Sequence, residues 1–548
     1  MKFKNLILAG LALVSMAACS NEDDPQATQE PQDVKAYMQI SITGAEGNTS
    51  RAGGANSTTP GSDVEKKITE LTILLCNPSN HKVQYKYEKI KNLSNTTTPS
   101  QSLITDPIKT VTGTYKVYVI ANPFNVNITA NPDGISGTDM STLALEENVT
   151  EATMKSNYAN DNNFMMFNES LGKETTSYNV APTITIIPTN DIHNPARLSD
   201  PIKLDRLAAK IVLSSPTISD ITKLNETAIT GVTNTPFASA VVKGFKLING
   251  AQKVNLKQQW FFDYPETPLP ALGSRLNTLV TPSSMTYYNT FAGFSTVTDD
   301  GGAPKKTYTA AVDLYPTIAE YKSAKAPIYC MENNPSFNGT SGQLATYNTA
   351  TGLFFQVQVM LQNNDKPSSG VNETETGANT FYWYNGKYYF SLKAIQDDYT
   401  GVFDKASGST GSKLGDAVAE LVAARGKGDE TTKQNAISDF RVKYMIKVFN
   451  DGIMYYPYYI KDKSWKQLTN GKGADNNSEG NVDYVESVMR NTIYTLDVKK
   501  LLKMGGDIPG NWNPKIEPGD PINPEDVYMQ VNVAVNPWVS QSDDVELQ

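Results

Sequence analysis

Two histidines in 548 residues leave little room for the residue that most often serves as general base or metal ligand. His81 and His193 both lie in polar, loop-like stretches, and the chain has no His-Glu-x-x-His pattern, Gly-x-Ser-x-Gly elbow, P-loop or Gly-x-Gly-x-x-Gly. Neither catalysis nor a cofactor is expected. Cysteine is equally sparse. Three cysteines in a chain of this length exclude a disulfide framework. Cys76 ends the apolar run from Leu71 and reads as a small core hydrophobe, and Cys330, with no histidine placed beside it, reads as buried rather than nucleophilic. Stability must therefore come from apolar burial, and 39% hydrophobic residues provide enough for two or three ordinary cores. No cluster of Lys and Arg offsets the net charge of -9, which argues against nucleic acid or an anionic membrane surface as partner. The apolar run Leu6 to Ala18 is too short to span a bilayer as a helix.

That run follows Lys2 and Lys4 and ends in Met16-Ala17-Ala18-Cys19, the pattern of a bacterial lipoprotein signal. Cleavage before Cys19 would leave its thiol to carry lipid; the bland alternative is an incidental cysteine after an ordinary secretory signal. Ser20-Asn21-Glu22-Asp23-Asp24 then reads either as a surface-export signal or as a plain solvated tether. Residues 1–18 are read as the signal peptide and 19–51 as a propeptide.

Within that propeptide, Ala36-Tyr37-Met38-Gln39-Ile40-Ser41-Ile42-Thr43 alternates with period two, the mark of a half-buried strand. The pattern returns near the other end of the chain as Val527-Tyr528-Met529-Gln530-Val531-Asn532-Val533-Ala534-Val535, with Tyr-Met-Gln identical. Tyr37, Met38, Ile40 and Ile42 mark a removable strand; Met529, Val531, Val533 and Val535 mark a donor strand for the same slot. Pro514, Pro518, Pro521 and Pro524 give the second copy an extended tether rather than a hairpin turn, with no neighbouring strand in sequence to pair with. Between the first copy and the remainder lies a small, polar loop containing Arg51-Ala52, poised for a trypsin-like protease, although any exposed loop can contain an arginine. Cutting there would release the first copy together with its lipid.

From Ala52 onward the chain reads as β-structure. Ile68 to Leu75, Val83 to Tyr87, Tyr115 to Ile120 and Thr183 to Ile187 are short strands between Asn/Thr/Pro/Gly-rich loops. A polar run closed by Pro195 places a boundary near Asp200, giving a β-sandwich over 52–199 and a second over 200–513, before a linker and donor strand over 514–548. Asn385-Gly386 and Asn450-Asp451-Gly452 each predict a hairpin, the first joining Phe381–Tyr384 to Lys387–Leu392, the second joining Tyr444–Phe449 to Ile453–Ile460. One helix is expected over Lys413 to Arg425, with Leu414, Val418, Leu421 and Val422 on its packed face. Asp475, Asn477, Glu479, Gly480, Asp483 and Glu486 approach calcium-loop spacing, but Glu479 departs from it and no helix precedes it, so a solvated loop explains them as well and no metal is assigned.

The lipobox at Cys19, the Arg51-Ala52 site, Leu204-Asp205-Arg206-Leu207-Ala208-Ala209-Lys210, Arg490-Asn491-Thr492-Ile493-Tyr494, Asn511-Trp512-Asn513-Pro514 and the closing strand with Pro537-Trp538 together resemble the type V pilins of Bacteroidales, in particular the major shaft subunit of short fimbriae. The resemblance spans essentially the whole chain, with diverging middle loops. It implies an all-β fold of two transthyretin-like β-sandwich domains, lipoprotein transit to the outer membrane, cleavage by an Arg-specific protease, and polymerisation by strand exchange into a cell-surface fimbria that supports adhesion. Identical subunits, anchor and tip proteins, and host or bacterial surface ligands would be its partners. The competing reading is a surface glycan-binding lipoprotein, with Phe381–Tyr384 and Tyr455–Tyr459 as stacking surfaces for sugars.

Overall fold

The computed structural model describes residues 36–44, 59–60, 65, 67–97, 100–145, 149–160, 163–168, 181–262, 277–280, 286–288, 295–298, 304–307, 327–335, 346, 348–362, 366, 372–404, 413–460, 486–507 and 529–539. Strands dominate, as expected. The largest sheet runs, in spatial order, Val83–Ile90, Leu71–Cys76, Gly113–Ala121, Met166–Asn168, Ile202–Arg206, Ser41–Gly44, Ser100–Thr105 and Leu93–Thr97, with Thr183–Ile186 also paired to Gly113–Ala121. Leu71–Cys76 is buried on both faces, so its unbroken apolar run suits a central strand. Thr183–Ile186 alternates exposed and buried, as a half-covered strand must.

The chain changes sheet at Leu207. Ile202–Arg206 belongs to the first sheet, although the polar run before Pro195 places it in the second half of the sequence. Ala208–Leu213 pairs antiparallel with Ile328–Met331 and parallel with Thr492–Leu501. Polar loops punctuate a sheet as readily as they separate two, so the 189–195 run marks a turn inside the first sheet's territory.

Two further sheets build the second half: Phe237–Ile248 with Gly352–Leu361 and Ile453–Tyr459, and Ile229–Thr230 with Lys387–Tyr389, Phe381–Tyr384 and Lys447–Phe449. The Asn385-Gly386 turn is a hairpin, and both residues take the positive φ its tight loop requires, at 45° and 86°. The Asn450-Asp451-Gly452 turn is not. Its flanking strands enter different sheets, and Arg425 holds the turn between them, Nε donating to Asn450 Oδ1 at 2.6 Å and Nη2 to Asp451 Oδ1 at 2.6 Å.

Among the described residues three α-helices lie between those strands where one is expected. Lys413–Arg425 forms with the predicted bounds, burying Leu414, Val418 and Leu421. Leu392–Asp398 is capped by Ser391, whose hydroxyl accepts from Ala394 N, and by the Glu373 carboxylate, which accepts from Leu392 N and Lys393 N. Glu430–Tyr444 is capped by Asp429 and buries Ile437, Phe440 and Tyr444. Together they enclose a core of their own, distinct from the continuous core under the sheets.

Candidate strand-exchange site

Residues 36–44 thread through the first half as an interior strand broken once. Ala36–Met38 pairs antiparallel with Ile108–Thr110, Tyr37 opposite Lys109. Ser41–Gly44 then lies between two strands, parallel to Ile202–Arg206 with Ile42 opposite Ile202, and antiparallel to Ser100–Thr105 with Ile42 opposite Leu103. Ala36, Met38, Ile40 and Ile42 have no exposed surface, whereas Tyr37, Gln39, Ser41 and Thr43 keep partial exposure. The alternation in the sequence thus runs unbroken across the gap between the two ladders.

The loop at 187–196 closes over the first part. Tyr37 N donates to Asn190 O at 3.0 Å, Gln39 N to Ala196 O at 2.9 Å, and Ala196 N to Tyr37 O at 2.8 Å. At the break, Ile40 N donates to the Thr105 hydroxyl at 3.1 Å and Thr105 N to Ile40 O at 3.0 Å, while Gln39 Nε2 donates to Thr105 O at 2.7 Å. A chain lacking residues 36–44 would carry an apolar trench flanked by unpaired edges at 202–204 and 103–104, a state that another strand can relieve.

The closing strand has a place of its own. Met529–Val539 pairs antiparallel with Thr492–Leu501 from Met529, opposite Leu501, to Pro537, opposite Thr492, and its Trp538 and Val539 pair parallel with Thr59–Pro60. Met529 is buried in the main core. The absence of an adjacent partner in sequence therefore misleads: the strand pairs with the one that precedes it among the described residues. Cys19, Arg51, Ala52, the Pro-rich stretch and the Asp475 to Asp483 segment lie outside the described residues; Glu486, the last position of the calcium-like pattern, is buried.

The motifs that flank the junction between the halves meet there. Arg206 is buried, its Nη1 donating to Asn491 Oδ1 at 3.1 Å and its Nε to Glu65 O at 3.0 Å, while Asn491 Nδ2 donates to Asp205 Oδ1 at 2.9 Å. Glu65 Oε1 accepts from Lys210 Nζ and from the Tyr329 hydroxyl, both at 2.7 Å. Burial holds the Arg206 guanidinium down to about 10, against the pull of Glu65 and Asp205. Arg490 beside it pairs with Glu332 and donates to Leu256 O at 2.7 Å. Sequence alone did not reveal that these two motifs are partners, since 285 residues separate Arg206 from Asn491.

Nothing in the described residues resembles a reaction centre. Cys76 and Cys330 are free and buried, and burial pushes both thiols up, Cys330 to about 12. His81 Nδ1 lies 2.7 Å from the Tyr118 hydroxyl, and burial lowers its pKa. Among the described residues no group of three or more His, Cys, Asp or Glu could hold a metal ion. The aromatic runs offered to sugars are spent internally: Phe381 stacks on Phe449 at 4.5 Å, Tyr455 packs on Phe354, and Tyr382, Tyr456 and Tyr459 are buried.

Two family models match the chain. The major fimbrial subunit protein (FimA) matches residues 36–206, from the first residue of the slot strand to Arg206, and the C-terminal region of the type IV major fimbrial subunit protein, fimbrillin, matches 447–544. Among solved structures the chain is similar to a fimbrilin (fimA) from Porphyromonas gingivalis W83, at 13% identity over 92% of this chain and 98% of that one, with a TM-score of 0.38. It is similar to a putative cell adhesion protein from Parabacteroides distasonis, at 12% identity over 92% and 99% with a TM-score of 0.40. A third is the tip fimbrial protein Mfa3 from Porphyromonas gingivalis, at 10% identity over 92% and 99% with a TM-score of 0.32. No curated protein matches it by sequence.

Proposed function

We propose that the chain, matched by the major fimbrial subunit (FimA) model over 36–206 and by the fimbrillin C-terminal model over 447–544, builds the shaft of a cell-surface fimbria by inserting its closing strand into the slot of the next copy. It is a structural protein and not an enzyme. The precursor travels as a lipoprotein lipidated at Cys19 and anchored in the outer membrane, and an Arg-specific protease cuts at Arg51-Ala52. The cut frees residues 36–44 to leave with the lipid. A head-to-tail contact of this kind does not close on itself, so repetition gives a filament. Anchor and tip proteins complete it, and surface ligands are its adhesive targets.

The observation that carries this reading is that residues 36–44 supply an interior strand of the fold while their sequence pattern recurs at the far end of the chain. Burying Met38, Ile40 and Ile42 stabilises the precursor by about 1.5–3 kcal/mol each before ordering costs, and an incoming Met529, Val531 and Val533 would fill the same trench at a net gain reduced by leaving their own ladder. A tip subunit needs a slot but no donor; the intact closing strand favours a shaft subunit. The sugar-binding alternative loses its support where the aromatic faces are buried.

The test is to purify the chain without its signal and lipid cysteine, nick it with an Arg-specific protease, and run it unheated in detergent beside Arg51→Ala. A ladder only in the nicked wild type is expected. A single monomer band in both lanes, with the cut at Arg51 verified, refutes strand exchange.

A further inference from the structure

We infer that the corner at Thr105 sets the register of the incoming strand by reading its glutamine, so that Gln530 of one copy takes the place of Gln39 in the next. This rests on the strand-exchange reading and specifies its geometry. Hydrophobic alternation cannot fix the register by itself. A slip of one residue turns the apolar face outward and is excluded, but a slip of two leaves Met529, Val531, Val533 and Val535 facing inward as before. Some feature other than apolarity must separate these otherwise similar alignments.

Thr105 is fully enclosed and lies where the slot changes partners, between the ladder to 108–110 and the ladder to 100–105. Its hydroxyl and N–H hold the backbone of Ile40, and its carbonyl takes the side-chain amide of Gln39. Gln39 Oε1 is buried with no partner, so glutamine is not the residue that stability alone would select there. An amide oxygen buried without a partner on the half-exposed side of the strand is retained at a cost, and a polar group kept at such a cost can fix register. The same Tyr-Met-Gln recurs in the closing strand, and its resting ladder is irregular at the same place: Val531 faces Val498 and Gln530 faces Lys500, with Lys499 left over between them. The irregularity of the resting ladder thus falls at Gln530 and Val531, the pair that matches Gln39 and Ile40, which lie between the two ladders of residues 36–44. In the slot, Gln530 Nε2 donates to Thr105 O, Val531 N to the Thr105 hydroxyl and Gln530 N to Ala196 O, which sets Val533 opposite Leu103 and Asn532 opposite Ile104.

Cysteine pairs read the register directly, since Cys76 and Cys330 are buried. In the cleaved full chain, Ile104→Cys with Asn532→Cys is expected to give an intersubunit disulfide in every rung of the ladder, and Ile104→Cys with Ala534→Cys, which reports a slip of two, less than a tenth as much. Adding Gln530→Leu should bring the two yields within about threefold of each other while polymers still form, and Thr105→Val should move them in the same direction. Polymers that cross-link through position 534 with Gln530 present, or a yield ratio unmoved by Gln530→Leu, overturn the assignment of register. Absence of polymer in the parent chain with neither cysteine overturns strand exchange itself, and the register with it.

Discussion

Asn491 carries more of the junction than its size implies. Its side chain accepts from the Arg206 guanidinium and donates to Asp205, and its own backbone sits at φ 53°, which asparagine tolerates better than most residues. Asn491→Gly preserves that backbone freedom and deletes only the amide, leaving a buried guanidinium and a buried carboxylate each short of a partner. The expected loss is about 2–4 kcal/mol. Urea unfolding that moved by less than half a unit of that range would show the network to be dispensable. Asn491→Ala should cost more, since it adds strain at positive φ.

Tyr87 makes a second residue-scale prediction. Its phenol lies under the slot, donating to Thr110 Oγ1 at 2.7 Å, and Thr110 is the residue opposite Ala36. Burial pushes its pKa up to about 12 from 10.0, with the Thr110 bond opposing the shift. A folded value above the unfolded one means that the stabilising contribution is intact below about pH 10 and is lost as pH rises toward 12. Burial also raises Tyr115, Tyr118, Tyr382 and Tyr456, so tyrosinate absorbance should show a late step in the uncleaved chain that is smaller by one phenol in Tyr87→Phe and arrives together with loss of the near-ultraviolet dichroism signal. A precursor in which all tyrosines ionise near pH 10 with the fold intact contradicts this placement.

At the scale of elements, the sequence pattern told most where one face is buried and least where the partner is distant. Ala36–Gly44 and Met529–Val539 are legible because period-two alternation needs no knowledge of the neighbour. Which strands flank them is not, since Ser41–Gly44 pairs with segments about 60 and 160 residues away, and nothing local marks Thr105 as the corner. Lys413–Arg425 shows a broad apolar face and is predicted; among the described side chains of Glu430–Tyr444 the buried apolar ones are Ile437, Phe440 and Tyr444, too thin a stripe to distinguish from loop. Its start depends instead on Asp429, whose carboxylate accepts from Thr432 N at 2.8 Å. Asp429→Ala should cost about 0.5–2 kcal/mol and raise amide exchange across 430–444. Because these helices have a core separate from the slot, ladder formation should be unchanged; a shortened ladder would show that the insertion contacts the next subunit.

For the whole molecule, the strand-exchange proposal makes polarity the decisive property: each copy would have one slot and one strand to give. The closing strand rests on Thr492–Leu501 of its own chain, so donation exchanges an internal ladder for an external one and the net gain is smaller than either ladder alone. Two variants separate the two roles. A chain cleaved at Arg51 and ending at Pro524 has an open slot and nothing to donate. An uncleaved Arg51→Ala chain has a strand to donate and a filled slot. Either one, mixed at one part in ten with cleaved wild type, should cut the mean filament to about ten subunits by capping one end. Mixed only with each other, they should give a heterodimer and stop there, because the product has neither a free slot nor a free strand. Light scattering and intact-mass measurement distinguish that species from a homodimer or a longer series. A homodimer of the truncated chain would mean that contact does not require the closing strand, and growth beyond the heterodimer would mean that the propeptide strand can be displaced without cleavage.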